Sequence, residues 1–239
     1  MEAIIIQNEN GQAYARIRKA VGLLGVLIPP LCISLSFAGA CKGTVLPSIS
    51  HYYYTIIGDE FVAILFALGL VLILYKSVFK IEKLRLWENR LTNVAGILAL
   101  IVAFIPTSPL AEDTSCSYFK LTGAEHDAVY GFLAYLHLPA AGLMLFIFGI
   151  LSYQYFPRNW ETGVLDSTNK ILYRICAWVI FISIFILIVY VIIDCIKPIT
   201  TSNSFIFIFE VFAILAFAVS WLKKGRVKDA VLEMMKKKS

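Results

Sequence analysis

Six apolar stretches, each about twenty residues long, constrain this chain more than any other feature of its sequence. A helix needs roughly 20 mostly apolar residues to cross the hydrocarbon core of a bilayer. Of the 239 residues, 59% are hydrophobic and 15% are charged, which excludes both an ordinary soluble domain and a disordered chain. The predicted spans lie at about 20–40, 56–78, 91–110, 128–153, 171–196 and 204–222.

The segments between these stretches are too short to form a domain of their own. We therefore predict an all-α fold in which residues 1–239 form a single polytopic transmembrane bundle of six helices. The segment 225–239 is predicted to be a basic amphipathic tail on the inner membrane surface. Its apolar residues recur at helical spacing, with lysines on the remaining face: Val227, Ala230, Val231, Met234 and Met235.

The basic residues predict the orientation of the bundle. All 21 Lys and Arg residues except Lys42, Lys120 and Lys197 flank the apolar stretches on one side of the predicted membrane. Positive charge is retained on the cytoplasmic side, so both termini are expected in the cytoplasm. We predict a multi-pass protein of a bacterial inner membrane. Topology and anionic lipid account for the net charge of +5, so no nucleic-acid partner is expected.

Ionisable residues occur at membrane depth or at the outer membrane edge. Such residues are costly in lipid, and they usually face the bundle interior and pair with another group. We predict that they line an outward-facing polar cavity formed by spans two, four, five and six. The candidate residues are His51, Asp59, Glu60, His126, Asp127, His137, Asp194 and Glu210. No such group is expected in the cytoplasmic half, where Trp-Glu-Asn-Arg at 87–90 is interpreted as a solvated charge run.

Three functions compete for this cavity. The favoured one is binding or handling of a lipid or small envelope ligand without catalysis, and no residue is assigned a catalytic role. The first alternative is a metal-dependent membrane hydrolase in which His51, His126 and Asp59 bind zinc, with His137 or Glu60 as further participants. The second alternative is a structural or interaction subunit of a membrane complex, in which His137 and Glu210 hydrogen-bond across the bundle.

Partners and cofactors follow from these alternatives. The expected partners are membrane lipids, with a second membrane protein or a homo-oligomer as further options. No cofactor is expected under the favoured function, and zinc belongs to the hydrolase alternative.

Two further patterns concern the architecture. Cys41 and Cys116 lie in predicted outer loops, where an oxidising periplasm would allow a disulfide that sequence alone cannot establish.

In the third span Ala95, Ala99 and Ala103 recur every four residues. Small residues on one helical face allow a neighbouring helix to approach closely.

Several short motifs carry a resemblance over nearly the whole chain. They are Pro47-Ser48-Ile49-Ser50 before an acidic residue of the second span, Phe104-Ile105-Pro106-Thr107, His137 followed by Ala140 and Ala141, and Glu210 before Ser220-Trp221-Leu222-Lys223-Lys224-Gly225. In this order they resemble a bacterial family of six-helix membrane proteins of unknown function. They are more distantly similar to the eukaryotic Frag/DRAM/Sfk family, whose members are associated with lipid handling and GPI-anchor remodelling. The resemblance implies a six-helix fold with His137 and Glu210 in the outer half.

Overall fold

The fold is helical throughout the part of the chain that the structure describes. The computed structural model describes residues 2–37, 45–107, 131–197 and 204–236, and it contains no β-strand in these ranges. The α-helices there are α1 (Glu2–Phe37), α2 (Gly58–Leu74), α3 (Glu82–Phe104), α4 (His137–Ile150), α5 (Ser167–Ile196) and α6 (Phe205–Lys236). Short 3-10 helices span Ile49–Tyr54 and Gly131–Leu136, and a π-helical turn, Leu151–Tyr155, extends α4. The predicted all-α class is confirmed.

Four of the described helices are long and apolar enough to cross a membrane. They are Tyr14–Phe37 in α1, His137–Tyr155 in α4 with its π-turn, Lys170–Ile196 in α5 and Phe205–Gly225 in α6. The helices at the predicted stretches 56–78 and 91–110 have other bounds. Helix α2 has only 17 residues, and α3 begins with a charged turn before its apolar part.

Small residues lie where the second and third helices meet, because a Cβ built on Gly96 would lie 2.7 Å from the carbonyl oxygen of Gly69. Helix α2 packs along α3, α3 along α4, and α6 along both α1 and α5. The alanines predicted to form a packing stripe, Ala95, Ala99 and Ala103, are fully buried. This agrees with the expected role of small residues at helix interfaces.

Helix α6 continues past the apolar stretch without a break. Its helical backbone runs to Lys236, so most of the predicted amphipathic tail at 225–239 is helical. The side chains beyond Gly225 lie outside the described part of the chain. The position of this tail on the membrane surface therefore stays a prediction.

Candidate functional site

The loops and helix ends lie at the two opposite ends of the bundle. At one end, which we call the histidine end, the N–H of Phe207 in α6 donates to the carbonyl of Pro47 at 2.8 Å. His51 and His137 both lie at this end. At the other, which we call the arginine end, Lys80 after α2 donates its backbone N–H to Trp160 after α4 at 2.9 Å, and its ammonium pairs with Glu161. Successive helices therefore alternate in direction.

The segment 48–51 is the meeting point of the histidine end. Ser48 caps the 3-10 helix, and its Oγ donates to both carboxylate oxygens of Glu210, at 2.8 and 2.9 Å. The backbone N–H of Ile49 donates to the same carboxylate at 2.6 Å. The first N–H groups of a helix have no partner within it, so Glu210 satisfies a donor that would otherwise be open.

His137 binds the same segment from α4. Its side chain is buried, with Nε2 lying 2.9 Å from Oγ of Ser50 and Nδ1 2.5 Å from the carbonyl oxygen of Ile105. A carbonyl oxygen can only accept, so Nδ1 carries the proton and Nε2 accepts from Ser50. The expected hydrogen bond between His137 and Glu210 is replaced by separate bonds from each to the segment 48–51.

Of the four motifs that carried the resemblance, three lie at this end, and the fourth contributes Glu210 to it. Pro47–Ser50 contacts Glu210 and His137, and Ile105 of the Phe104–Thr107 motif accepts from His137. Thr107 of the same motif accepts a hydrogen bond from the hydroxyl of Tyr54 at 2.5 Å. The rest of the fourth motif, Ser220–Gly225, lies in α6 towards the arginine end.

His51 adds an unsatisfied polar atom to this site. Its Nδ1 is buried and has no hydrogen-bond partner among the described residues. Burial, together with the nearby His137, lowers the pKa of His51 to about 4. The imidazole is therefore neutral at neutral pH.

A cleft of about 610 Å³ lies beside the segment 48–51. Its walls come from the 3-10 helix, α2 and the end of α3, and they consist of Tyr53, Tyr54, Gly58, Asp59, Val62, Ala63, Phe66 and Phe104. Among these, Asp59 is the only ionisable carboxylate. The described walls of the cleft are therefore mostly apolar, with one carboxylate. The polar cavity between spans two, four, five and six stays a prediction.

The remaining predicted site residues are placed differently. Glu60 and Asp194 are exposed, and neither lines the cleft. His126 and Asp127 lie outside the described residues, as do Cys41 and Cys116. Within the described ranges, no three His, Cys, Asp or Glu side chains lie close enough together to hold a metal ion. The zinc site of His51, His126 and Asp59 therefore stays a prediction.

No family model, curated protein or solved structure matches this chain.

A second cluster of buried polar side chains lies at the arginine end, and it was not predicted from the sequence. Glu88 is fully buried and Arg18 is 1% exposed. The hydroxyl of Tyr75 accepts from Arg18 and donates to Glu88 at 3.1 Å, while Ser77 donates to the other carboxylate oxygen. The interpretation of residues 87–90 as a solvated charge run is wrong for Glu88. The half of the bundle that was predicted to be cytoplasmic therefore does contain a buried ionisable group, contrary to expectation.

The helical phase of α3 contains a signal for this burial. Glu88 lies four residues before Thr92 and seven before Ala95, so it shares the face of the small-residue stripe. Thr92 is fully buried, and its hydroxyl donates to the carbonyl of Glu88 at 3.0 Å. A carboxylate on a face that is otherwise apolar and small must be paired.

Proposed function

We propose that this protein is a six-span protein of a bacterial inner membrane that binds a lipid or similar amphiphile in the cleft at its histidine end. Both termini lie in the cytoplasm, and the cleft opens towards the outer leaflet. The observation that carries the proposal is the cleft itself, in which the described lining residues combine an apolar wall with one carboxylate, Asp59.

The surface of the helices supports the membrane assignment. Large apolar side chains point outward along α5, where Phe185 is 66% exposed and Ile171 73% exposed. A monomeric soluble protein rarely exposes such a continuous apolar surface. Helices α2 and α3 supply the two spans beyond the four apolar ones, because they pack closely within the bundle.

Charge supports the orientation. The arginine end carries the basic segments around α1, between α2 and α3, between α4 and α5, and at the end of α6. Attraction to anionic lipid and the retention of positive charge favour the cytoplasm for this end. The histidine end, with its cleft, then faces the periplasm.

The cleft fits an amphiphile in size and in chemistry. A volume of about 610 Å³ is within the usual range for small-molecule sites. Phe66 and Phe104 pack edge to face with ring centroids 5.7 Å apart, which gives an acyl chain a firm aromatic wall. Asp59 offers a carboxylate at the start of α2, where a cationic or hydroxyl-bearing head group can bind.

Lipid binding is tested by native mass spectrometry of the protein released from mild detergent. We expect a lipid-sized adduct that is lost in Asp59→Asn and in Ala63→Phe, which fills the cleft. Glu60→Gln is the matched control, because Glu60 is the adjacent exposed carboxylate and does not line the cleft. A wild-type protein without any lipid-sized adduct contradicts the proposal, and so does an equal loss of the adduct in Glu60→Gln.

Orientation is tested by cysteine labelling in spheroplasts on a background without native cysteines. A membrane-impermeant maleimide should label Ile56→Cys at the histidine end, where the side chain is 54% exposed. Glu161→Cys, at the arginine end and also exposed, should label only after the membrane is opened. The reverse pattern would invert the proposed topology.

A further inference from the structure

Ser50 and His137 form the geometry of an activated nucleophile. The serine hydroxyl donates to Nε2 of the imidazole across 2.9 Å, and the opposite nitrogen is held by the carbonyl of Ile105 at 2.5 Å. This second bond fixes the tautomer that leaves Nε2 free to accept a proton. A hydroxyl, a base within hydrogen-bond reach and a third group that orients the base are the components of nucleophilic catalysis.

Both members of the pair adjoin the wall of the cleft. Residues three apart in a 3-10 helix lie on one face, so Ser50 is stacked one turn before Tyr53, which lines the cleft. Ile105, which orients His137, directly follows the lining residue Phe104. Ser50 itself does not line the cleft, and it lies one helical turn from a residue that does.

His51 provides an independent sign of an incomplete site. Its buried Nδ1 lacks a partner among the described residues, although buried polar atoms are nearly always hydrogen-bonded. A neutral imidazole with its proton on Nδ1 presents a donor there. A developing oxyanion is the kind of acceptor that such a donor stabilises.

We infer that Ser50 and His137 transfer the acyl group of an ester lipid held in the cleft. This inference rests on the proposed function, and it adds a reaction to it. Oγ of Ser50 forms a bond to the ester carbonyl carbon while its proton moves to Nε2 of His137. The carbon–oxygen bond to the alcohol then breaks, and the leaving alcohol takes that proton. Water or a second hydroxyl compound releases the acyl group from Ser50 by the same steps in reverse.

The test uses a fluorophosphonate that carries a long alkyl chain, applied to the full-length protein in mild detergent. Attack by Ser50 forms an oxygen–phosphorus bond, expels fluoride and passes the proton to His137. We expect a covalent adduct that peptide mass spectrometry maps to Ser50 and that is lost in Ser50→Ala. Ser204→Ala is the matched control, because this serine lies at the same end but donates to the carbonyl of Val45.

His137→Asn separates the base from the structural role. The asparagine amide can still donate to Ile105, but it has no group at the position of Nε2, so labelling should slow by on the order of 100-fold or more. The thermal melt reports whether the variant folds. Labelling at another serine, or labelling that is unchanged in a folded His137→Asn variant, overturns the inference.

The lipid adduct distinguishes this inference from the proposed function. A wild-type protein that retains its lipid and is not labelled overturns acyl transfer and leaves lipid binding in place. A protein that is labelled at Ser50 but carries no lipid supports the nucleophile and contradicts lipid binding in the cleft.

Discussion

Arg18 and Glu88 form an ion pair in which neither side chain is more than 1% exposed, with Nη2 and Oε1 3.8 Å apart. The hydroxyl of Tyr75 bridges the two, donating to Glu88 and accepting from Arg18. This pair joins α1 to α3 through the segment after α2. Burial of two charges costs several kcal/mol for each ion, so the arrangement is stable only while every member is present.

Loss of the carboxylate should therefore destabilise the bundle strongly. Glu88→Ala leaves the guanidinium of Arg18 buried without its counter-charge, and we expect a loss of about 3–5 kcal/mol in the free energy of unfolding. Thermal unfolding of the detergent-purified protein measures this. Glu82→Ala is the matched control, because Glu82 is an exposed residue of the first turn of the same helix.

The double variant shows whether the pair acts as a unit. Arg18→Met combined with Glu88→Gln removes both charges. Its loss in the free energy of unfolding should be smaller than the sum of the losses in Arg18→Met alone and Glu88→Gln alone. Additive losses would contradict a coupled pair.

Hydropathy predicted the helical class because apolar length is a local property of the sequence. Charge was harder to interpret, since counting Lys, Arg, Asp and Glu by type does not distinguish a solvated residue from a buried one. Glu88 was interpreted as solvated from its charged neighbours, although its helical phase relative to Ala95 places it on the buried face. The helical phase of each charged residue would have revealed this error.

The histidine end was predictable only in part. The resemblance singled out His137 and Glu210, and the structure brings both to the segment 48–51. Their partners could not be predicted, because Ser50 lies 87 residues before His137 and Ser48 lies 162 before Glu210. Spacing along the chain does not determine tertiary distances of this kind. The Ser50–His137 pair was missed for this reason.

The crossing of α2 and α3 should be intolerant of even one added methyl group. A Cβ built on Gly96 would lie 2.7 Å from the carbonyl oxygen of Gly69, so Gly96→Ala must push the helices apart. We expect a loss of about 1–3 kcal/mol in the free energy of unfolding. Gly142→Ala in α4 is the control, because a Cβ there meets nothing within 4 Å. The control should melt at or above the wild-type temperature, and equal melts for both variants would contradict the close contact.

Lys224 should stabilise the arginine end through its ammonium group. This buried lysine donates to the carbonyls of Phe156 at 2.7 Å and Arg158 at 3.3 Å, which fastens α6 to the segment after α4. Lys224→Met leaves these acceptors unsatisfied, at an expected cost of about 1–3 kcal/mol. Lys223→Met changes a neighbouring lysine that is less buried and should have little effect on the thermal melt. A larger loss in Lys223→Met would contradict this assignment.

Acid should weaken the histidine end through His51. Burial holds its pKa at about 4 in the folded protein, below the ordinary value of 6.5, so the folded state keeps the imidazole neutral. Between these two values the unfolded chain binds a proton that the folded chain does not. The contribution of His51 to stability is therefore complete above about pH 6.5, and it is lost progressively as the pH falls towards 4.

We expect the melting temperature of the wild type to fall more steeply from pH 7 to pH 4.5 than that of His51→Gln, which cannot titrate at this position. Parallel curves for the two proteins would show that His51 takes up its proton equally in both states, and a buried, neutral imidazole at the site would then be ruled out.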